Sequence, residues 1–293
     1  MNLEKIDIVI ALYEEKNIDW IFKIPKHFNL YIYNKGNDLP EDFLLNLKTK
    51  ISNYKIEKIK NVGRETDTYL HHIVNNYNNL GDLTIFSQGD PIEHSPDFVK
   101  LLQNYKDFDF CQCLTDRYKQ NNISTPIPPT AFLEEECVKK KHLNKYRCAC
   151  SLINTKDLYP LLYKDYPMLS NIPVALSKLG IENIDYKDVK KALLSTMKTY
   201  DGIIDLLLKK CDITLKYNQG EVPNIYYYCI GACFAIKKER ILQHSLESYI
   251  KMKNINLSDK VFGYVIERTW MVIFGPIYNK KMLMEDLKIS NLL

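Results

Sequence analysis

The sequence predicts an α/β fold with a mostly parallel central sheet flanked by helices. Along the first third of the chain, short and continuously apolar segments alternate with segments whose apolar residues recur at helical spacing. Strands that alternate with helices in this way form right-handed βαβ units, whose strands are buried on both faces. The composition agrees, because 46% hydrophobic and 26% charged residues in a chain of 293 are typical of a globular protein.

The predicted elements follow one another in a regular order. Strands are expected over residues 6–12, 29–36, 55–60, 83–88 and 107–116. Helices are expected between them, over residues 17–25, 41–54 and 61–79. In the last of these helices, apolar residues form one stripe at helical spacing: Tyr69, Leu70, Ile73, Val74 and Tyr77. The later segment "GACFAIKKERI" returns to a strand, where Gly231 allows a close approach of the backbone.

Charge and hydropathy exclude several classes of function. With 40 basic and 36 acidic residues the net charge is +4, too balanced for a nucleic-acid partner. No window approaches the roughly 18 apolar residues that cross a bilayer. The apolar segment 6–12 is too short for a signal peptide and contains Asp7. We therefore expect a cytoplasmic protein with reduced cysteines, and leave open a peripheral contact with the inner membrane face.

Asp90 is the first candidate site residue, because it follows the fourth predicted strand. Ligands of open parallel sheets bind beyond the carboxyl ends of the strands, so Gln88, Gly89 and Asp90 should project into a binding crevice. Gly89 permits a tight turn, and Pro91 stops the strand. A carboxylate there could hold a divalent cation that bridges the phosphates of a nucleotide. An ordinary polar turn is the alternative.

Gly63 and Arg64 mark a second candidate site at the start of the third helix. A helix N-terminus presents free N–H groups and partial positive charge, which favour a phosphate, and Arg64 could add bidentate hydrogen bonds. Neither the P-loop nor the G-x-G-x-x-G dinucleotide motif occurs in the chain. Phosphate binding at this helix start is therefore a hypothesis from position alone.

The order of these segments resembles the nucleotide-binding half of GT-A glycosyltransferases, which is Rossmann-like. The resemblance lies in "IALYEE", "YNKG", "NVGRE" at a helix start and "LTIFSQGDP" at a strand end. More narrowly, "NVGRETDTYLHHIVNNYNNLGDLTIFSQGDPIEH", "GACFAIKKERI" and "ERTWMVIFG" resemble the signature blocks of a largely uncharacterised glycosyltransferase-like family. The resemblance covers residues 6–116 and 230–275. It implies transfer of a sugar from a nucleotide diphosphate sugar to a glycan or glycoconjugate acceptor.

The same resemblance implies a donor site and a metal. Asp90 would be the metal-binding remnant of an Asp-x-Asp motif, with Mn²⁺ or Mg²⁺ as the cofactor, although Gln88 stands in place of the first carboxylate. Tyr13 and Glu14 would lie near the base, and the next strand would end beside the ribose. If no metal is bound, a basic side chain would supply the positive charge. The implied donor-binding residues are Tyr13, Glu14, Asn34, Lys35, Gly63, Arg64, Gln88, Gly89 and His94.

Glu267 and Trp270 are the implied catalytic and acceptor-binding residues of the last block. Sugar transfer needs a carboxylate that removes a proton from the acceptor hydroxyl, and Glu267 is sited for this role. Trp270 would offer a platform for a sugar ring. An ion pair between Glu267 and Arg268, and core packing of Trp270, are the alternatives.

Three regions are predicted. Residues 1–116 form the nucleotide-sugar half, residues 117–229 a variable helical and loop region for the acceptor, and residues 230–293 complete the same domain. The apolar stripe within 190–210 could pack on the sheet or lie on anionic lipid, which would suit a lipid-linked acceptor. A non-catalytic nucleotide- or carbohydrate-binding module is a rival function. A nucleotidyltransferase is another, although it would need a basic glycine-rich loop after the first strand.

The cysteine pairs Cys111, Cys113 and Cys148, Cys150 leave two interpretations. Four thiolates could hold a zinc ion, although structural zinc sites prefer Cys-x-x-Cys spacing. Alternatively, Cys111 and Cys113 are small core residues on one face of a strand.

Overall fold

The computed structural model describes residues 4–108, 110–114, 150–154, 204, 207–215, 225–258 and 260–274. The strands are β1 (Ile6–Leu12), β2 (Asn29–Asn34), β3 (Asn53–Lys58), β4 (Leu83–Gln88), β5 (Cys111–Cys113), β6 (Cys150–Asn154), β7 (Ile225–Cys229) and β8 (Phe234–Lys237). The α-helices are α1 (Glu41–Lys50), α2 (Arg64–Asn76), α3 (Phe98–Gln103), α4 (Lys238–Ile241), α5 (Leu246–Ser258) and α6 (Lys260–Phe274). Residues 207–210 are also helical.

Six strands form one sheet in the order β3-β2-β1-β4-β8-β5. Strands β3, β2, β1 and β4 run parallel, whereas β8 runs antiparallel to both of its neighbours. The predicted α/β class with a mostly parallel sheet is therefore confirmed, and the sheet is mixed. From β1 the chain moves outward to β2 and β3, and then returns to β4 on the other side of β1. Strands β6 and β7 form a separate antiparallel pair.

Strand β1 separates two apolar cores, which explains its continuous apolar sequence. Ile6, Ile8, Ile10 and Leu12 pack on one face with residues of α1, α3 and the 3₁₀-helix Asp19–Lys23. Val9 and Ala11 pack on the other face with α2, α5 and α6. Burial of each large aliphatic side chain contributes roughly 2 kcal/mol, so β1 is a principal anchor of the fold.

The helices α2, α5 and α6 meet where α2 begins. The amide of Asn256, near the end of α5, donates to the carbonyl of Gly63, which precedes α2. The Thr66 hydroxyl donates to the carbonyl of Gly263, near the start of α6. At the other end of α2, Tyr77 packs on Tyr249 of α5, so α5 runs antiparallel to α2. Two later helices therefore support the α2 start.

Besides two-residue shifts at the ends of β2 and β3, three predicted elements differ from those observed. Residues 17–25 contain a 3₁₀-helix, Asp19–Lys23, because Pro25 closes the segment before an α-helix can develop. The fifth strand is only Cys111–Cys113, since residues 105–107 form a 3₁₀-turn that Phe108 caps. The helix α1 ends at Lys50 and is shorter than expected, because β3 begins at Asn53.

Most of the predicted acceptor region lies outside the described residues, so its boundaries stay predictions. Of the stripe within 190–210, the described apolar residues Ile204, Leu207 and Leu208 are buried in the core that contains α2, α5 and α6. For these residues core packing is confirmed. In the described part of the chain, no helix combines the length and apolarity that crossing a membrane requires.

His72 makes stability depend on pH. The His72 ring is fully buried on α2, and its Nδ1 lies 3.0 Å from the Tyr33 hydroxyl. Burial lowers the pKa of His72 from its ordinary value of 6.5 to about 3. Below pH 6.5 the unfolded chain binds a proton that the folded protein takes up only near pH 3, so stability is lost as the pH falls through this range. We expect this residue to lower the free energy of unfolding by about 3 kcal/mol between pH 7 and pH 4.

Urea denaturation of wild type and His72→Phe at both pH values measures this contribution. The variant should lose about 3 kcal/mol less than wild type on acidification. Asp7 acts in the opposite direction, because burial raises the pKa of its carboxyl, but it is common to both proteins and cancels in the difference. Equal losses in the two proteins would contradict the assignment to His72.

Candidate functional site

The loops after β1, β3 and β4 lie at one edge of the sheet, because these strands are parallel. The start of β8 lies at the same edge, since β8 is antiparallel and Phe234 pairs with Phe86 near the end of β4. The order of the strands reverses between β1 and β4, and ligands of open α/β sheets bind at such a reversal. We call this the carboxyl edge.

Strained backbone is concentrated at the carboxyl edge. Of the six described residues with positive φ, five belong to its loops: Glu14, Gly63, Arg64, Gly231 and Ala232. The sixth is Asp212. Three of these five carry a side chain, for which a left-handed conformation is unfavourable. Such strain clusters at binding and catalytic sites, so the backbone identifies this edge independently of any motif.

The turn after β4 fixes the carboxylate of Asp90. Its Oδ2 accepts from the Asn17 amide at 3.1 Å, and its Oδ1 accepts from the backbone N–H of Ile92 at 3.2 Å. The Trp20 indole donates to the carbonyl of Gly89 at 2.9 Å. The Asp90 side chain is half-buried and borders open space, as expected for a ligand-binding residue.

Glu15 is a site residue that the sequence argument missed. Its carboxylate accepts from the backbone N–H of Tyr13 and lies against Gly89, where an added Cβ would be 2.4 Å from Glu15 Cδ. Burial raises the pKa of Glu15, and the nearby charges of Asp90 and Glu65 add to this rise. The carboxylates of Asp90, after β4, and of Glu65, at the start of α2, are therefore each close enough to Glu15 to disfavour its ionised form.

The start of α2 is held in place by α5 and α6. Gly63 has φ 60°, and an added Cβ would lie 2.4 Å from Asn256 Nδ2. The Arg64 guanidinium lies 4.3 Å from the centre of the Tyr264 ring, and its Nε is 3.5 Å from a Glu65 oxygen. Because 44% of the Arg64 side chain is exposed, the predicted phosphate contact at this position is sterically open.

Lys35 has a different role from the one that the resemblance implies. Its Nζ donates to the carbonyls of Val62 and Arg64 and lies 3.7 Å from Asp67 Oδ2. Only 3% of its side chain is exposed. Lys35 therefore stabilises the turn before α2, and in this arrangement its ammonium does not reach a ribose or phosphate.

The loops after β1 and β2 are joined by side-chain amides. The side chain of Asn34 forms its hydrogen bonds within its own turn. Its Nδ2 donates to the Asn37 carbonyl, and its Oδ1 accepts from the Gly36 N–H. The Asn37 amide donates to Glu14 Oε1 at 2.9 Å, which links the two loops. Tyr13 is 47% exposed, so its ring remains accessible for the predicted contact with a base.

His94 and Gln88 complete the carboxyl edge beside Asp90. The His94 ring packs on Gly231, where an added Cβ would lie 2.5 Å from Cδ2, so glycine is required for this contact. The Gln88 amide donates to the Asp90 carbonyl at 3.0 Å. Gln88, which stands where a first carboxylate was expected, therefore supports the turn.

Trp270 packs in the core, as the alternative interpretation expected. It is 1% exposed, and its ring stacks on Phe274 with 5.6 Å between the ring centres. A buried ring offers no face to a sugar, so the predicted acceptor contact does not fit this position. Glu267 is 9% exposed on α6. Burial raises the pKa of Tyr69, with smaller contributions from neighbours that include Glu267, which places this acid beside α2.

A cleft opens next to Asp90, on the face of the sheet opposite α2. Its volume is about 540 Å³. It lies between the 3₁₀-helices Asp19–Lys23 and Pro91–Glu93 and is lined by Lys16, Asn17, Asp19, Trp20, Asp90, Ile92 and Glu93. Trp20 and Ile92 belong to the core that contains α1 and α3, whereas α2 belongs to the other core. The cleft and α2 therefore lie on opposite faces of the sheet, and Asp90 borders the cleft.

Asp90 and Glu15 fit the predicted Mn²⁺ or Mg²⁺. Each Asp90 oxygen accepts one hydrogen bond and keeps a further lone pair, and two carboxylates with waters and substrate phosphates are typical of these ions. Among the described residues no cluster of three or more His, Cys, Asp or Glu is arranged around one point. The ion would therefore bind mainly together with its phosphate ligand.

Zinc binding by the cysteine pairs stays a prediction. Cys111 Sγ lies 3.6 Å from Met271 Sδ, which is a contact typical of a core residue. Cys150 belongs to the other sheet, in β6, and Cys148 lies outside the described residues.

Gly89→Ala tests whether Glu15 belongs to the site. The new methyl group would displace the Glu15 carboxylate, which is the flexible end of a side chain, so we expect the stability to change by less than about 1 kcal/mol. Loss of one ion-binding carboxylate should weaken Mn²⁺-dependent nucleotide binding about tenfold, measured by calorimetry. Glu15→Ala in the Gly89→Ala background should cause no further loss, whereas additive losses would show that the two residues act independently.

Comparison with known proteins identifies a family and no activity. No curated protein and no solved structure matches the chain significantly. A family model described as "Protein of unknown function (DUF3431)" matches residues 8–115 and 183–284, and thus includes the carboxyl edge, α5 and α6. Since these residues make up more than two thirds of the sequence, the chain belongs to the DUF3431 family.

Proposed function

We propose that the chain is a GT-A-type glycosyltransferase, which moves a sugar from a nucleotide diphosphate sugar to a glycan or glycoconjugate. The observation that carries the proposal is the convergence of Glu15, Asp90 and the first turn of α2 at the reversal of the sheet. The charges of Asp90 and Glu65 both disfavour the ionised form of Glu15, and a cation bound by Glu15 and Asp90 would relieve this repulsion. A divalent ion would neutralise the acids, and the diphosphate that it binds would accept hydrogen bonds from the free N–H groups at the start of α2.

The donor is proposed to lie along the carboxyl edge. Its diphosphate would contact the N-terminus of α2 and the exposed guanidinium of Arg64, and its base would stack on Tyr13. Mn²⁺ or Mg²⁺ held by Asp90 and Glu15 would supply neutralisation of the charge that develops on the leaving nucleoside diphosphate. Donor binding should therefore depend on the cation.

Two carboxylates, Asp90 and Glu267, are candidates for the base that accepts the proton of the attacking hydroxyl. Asp90 borders the cleft, so an acceptor that enters the cleft meets this group. Glu267 approaches from α6, one turn after Gly263, but it is 9% exposed. The geometry thus favours Asp90 as the carboxylate near the acceptor, and Glu267 as a support below the edge.

The rival functions differ in what they require of the loop after β1. A nucleotidyltransferase would need a basic glycine-rich loop there, and instead the loop carries Glu14, which bonds to Asn37, and Glu15, which lies near Asp90. A non-catalytic nucleotide- or carbohydrate-binding module would use the same edge without turnover. The cytoplasmic location, a lipid-linked acceptor and a peripheral membrane contact stay predictions from the sequence.

A panel of nucleotide diphosphate sugars, assayed with and without Mn²⁺, tests the proposal. We expect release of nucleoside diphosphate by wild type with at least one donor in the presence of Mn²⁺, and its loss in Asp90→Ala. Asp42→Ala is the matched control, because Asp42 is an exposed acid on α1. Binding without turnover for any acceptor would favour the module, and no nucleotide binding would remove both functions.

A further inference from the structure

The cleft beside Asp90 has the size and chemistry of a saccharide-binding site. Its volume of about 540 Å³ falls within the range of small-molecule sites. It is formed by two short 3₁₀-helices that belong to different strand connections, the one after β1 and the one after β4. Because both connections are anchored in the core through Trp20 and Ile92, the cleft is part of the fold.

The charge of the lining excludes anionic ligands. Asp19, Asp90 and Glu93 contribute three carboxylates, and Lys16 contributes one ammonium group. Asp19 and Glu93 are exposed and Asp90 is half-buried, so all three charges are accessible to a bound molecule. In the cation-free protein, a phosphate or carboxylate group in the cleft would therefore meet net repulsion.

The hydrogen-bonding groups of the lining are mainly acceptors. The Asn17 amide already donates to Asp90, and the Trp20 indole already donates to the Gly89 carbonyl. The carboxylates accept from hydroxyl or ammonium groups, which sugars and amino sugars carry around the edge of the ring. Ile92, which is only partly buried, adds apolar surface to the cleft.

We propose that this cleft binds a neutral or amine-bearing saccharide of the acceptor and rejects phosphorylated and uronic acid sugars. The inference rests on the proposed function, because it assigns the acceptor to the side of Asp90 opposite α2. The phosphates of the donor then remain on the α2 side, and the acceptor hydroxyl reaches the transferred sugar at Asp90. The substrate class follows from the charges of the cleft alone.

Titration of wild type with four simple ligands tests whether the cleft binds neutral and amine-bearing sugars in preference to anionic ones. Methyl glucoside and methyl glucosaminide represent the neutral and amine-bearing classes, and methyl glucuronide and glucose 6-phosphate the anionic classes. We expect the anionic ligands to bind on the order of tenfold more weakly, measured by ligand-observed nuclear magnetic resonance. In the double variant Asp19→Asn/Glu93→Gln, the difference in affinity between neutral and anionic ligands should fall to about twofold.

Glu41→Gln/Asp42→Asn is the matched control, because it removes the same two charges from exposed positions on α1. The control should show the same difference in affinity between neutral and anionic ligands as wild type. Equal binding of anionic and neutral ligands to wild type, no binding of any glycoside, or the same narrowing in the control would each overturn the inference.

A nucleotide diphosphate sugar with Mn²⁺, added to the same samples, separates this inference from the proposed function. Donor binding without glycoside binding would overturn the cleft assignment and leave the transferase proposal standing. Glycoside binding without donor binding would overturn the transferase proposal and leave the cleft as a saccharide-binding site. Simultaneous binding of the two ligands supports an acceptor site, whereas competition would assign the cleft to the sugar of the donor and so contradict the acceptor assignment.

Discussion

Asp90→Asn is expected to lower the rate of sugar transfer about a hundredfold or more, with little change in stability. The substitution removes one negative charge at the point where we place the cation and the acceptor hydroxyl. An asparagine can still accept from the Ile92 N–H, and the Asn17 amide can rotate to bond with the new amide. The measurement is the rate of transfer or donor hydrolysis at saturating Mn²⁺, with thermal denaturation as the check on folding.

Asp42→Asn provides the control, because it makes the same chemical change at an exposed position on α1. Its rate should equal that of wild type within about twofold. If Asp90→Asn kept its activity while remaining folded, the carboxylate would have no part in the reaction.

Lys35→Met is expected to lower the free energy of unfolding by about 3 kcal/mol or more. The side chains of Lys35 and Asp67 are 97% and 94% buried, and Lys35 also donates to the carbonyls of Val62 and Arg64. Burial lowers the pKa of Lys35, and Asp67 opposes that effect. Removal of one partner leaves a buried charge without compensation, which typically costs 3–5 kcal/mol, as roughly measured in other buried pairs. Urea denaturation measures the loss.

Lys58→Met is the matched control for burial. Lys58 and Asp38 are only 2.8 Å apart, but 53% and 98% of their side chains are exposed. We expect this substitution to change the free energy of unfolding far less than Lys35→Met does, because solvent screens the exposed pair. The shorter ion pair should thus contribute less than the longer one, and similar losses in both variants would show that burial does not decide the strength of these pairs.

The fold was predictable where a strand is buried on both faces. The continuous apolar sequence of β1 gave its observed bounds, and the acidic turn after β4 was found because glycine and proline end the strand. A strand was predicted within residues 231–241, where β8 lies, but its antiparallel direction was not, since strand direction depends on a connection far along the chain. No local pattern of residues encodes it.

The site was only partly predictable, because the roles of polar side chains depend on where the backbone turns. Glu14 has φ 55° and turns the chain so that Glu15 returns to the sheet beside Asp90, and alternation along β1 gives no sign of this. Lys35 follows a strand end, as a ligand-binding residue would, but the carbonyls before α2 take its donors. The sequence around Trp270 does not distinguish a sugar-binding tryptophan from one that packs in the core, and the structure shows that it is buried.

The central claim is that Glu15, Asp90 and the α2 start form one cation-dependent diphosphate site. Calorimetric titration of wild type, Glu15→Gln and Asp90→Asn with uridine and guanosine diphosphates, each with and without Mn²⁺, tests it most directly. We expect wild type to bind at least one of these diphosphates only when Mn²⁺ is present, and both variants to bind it at least about tenfold more weakly. Binding that is independent of Mn²⁺ and equal in all three proteins would contradict it.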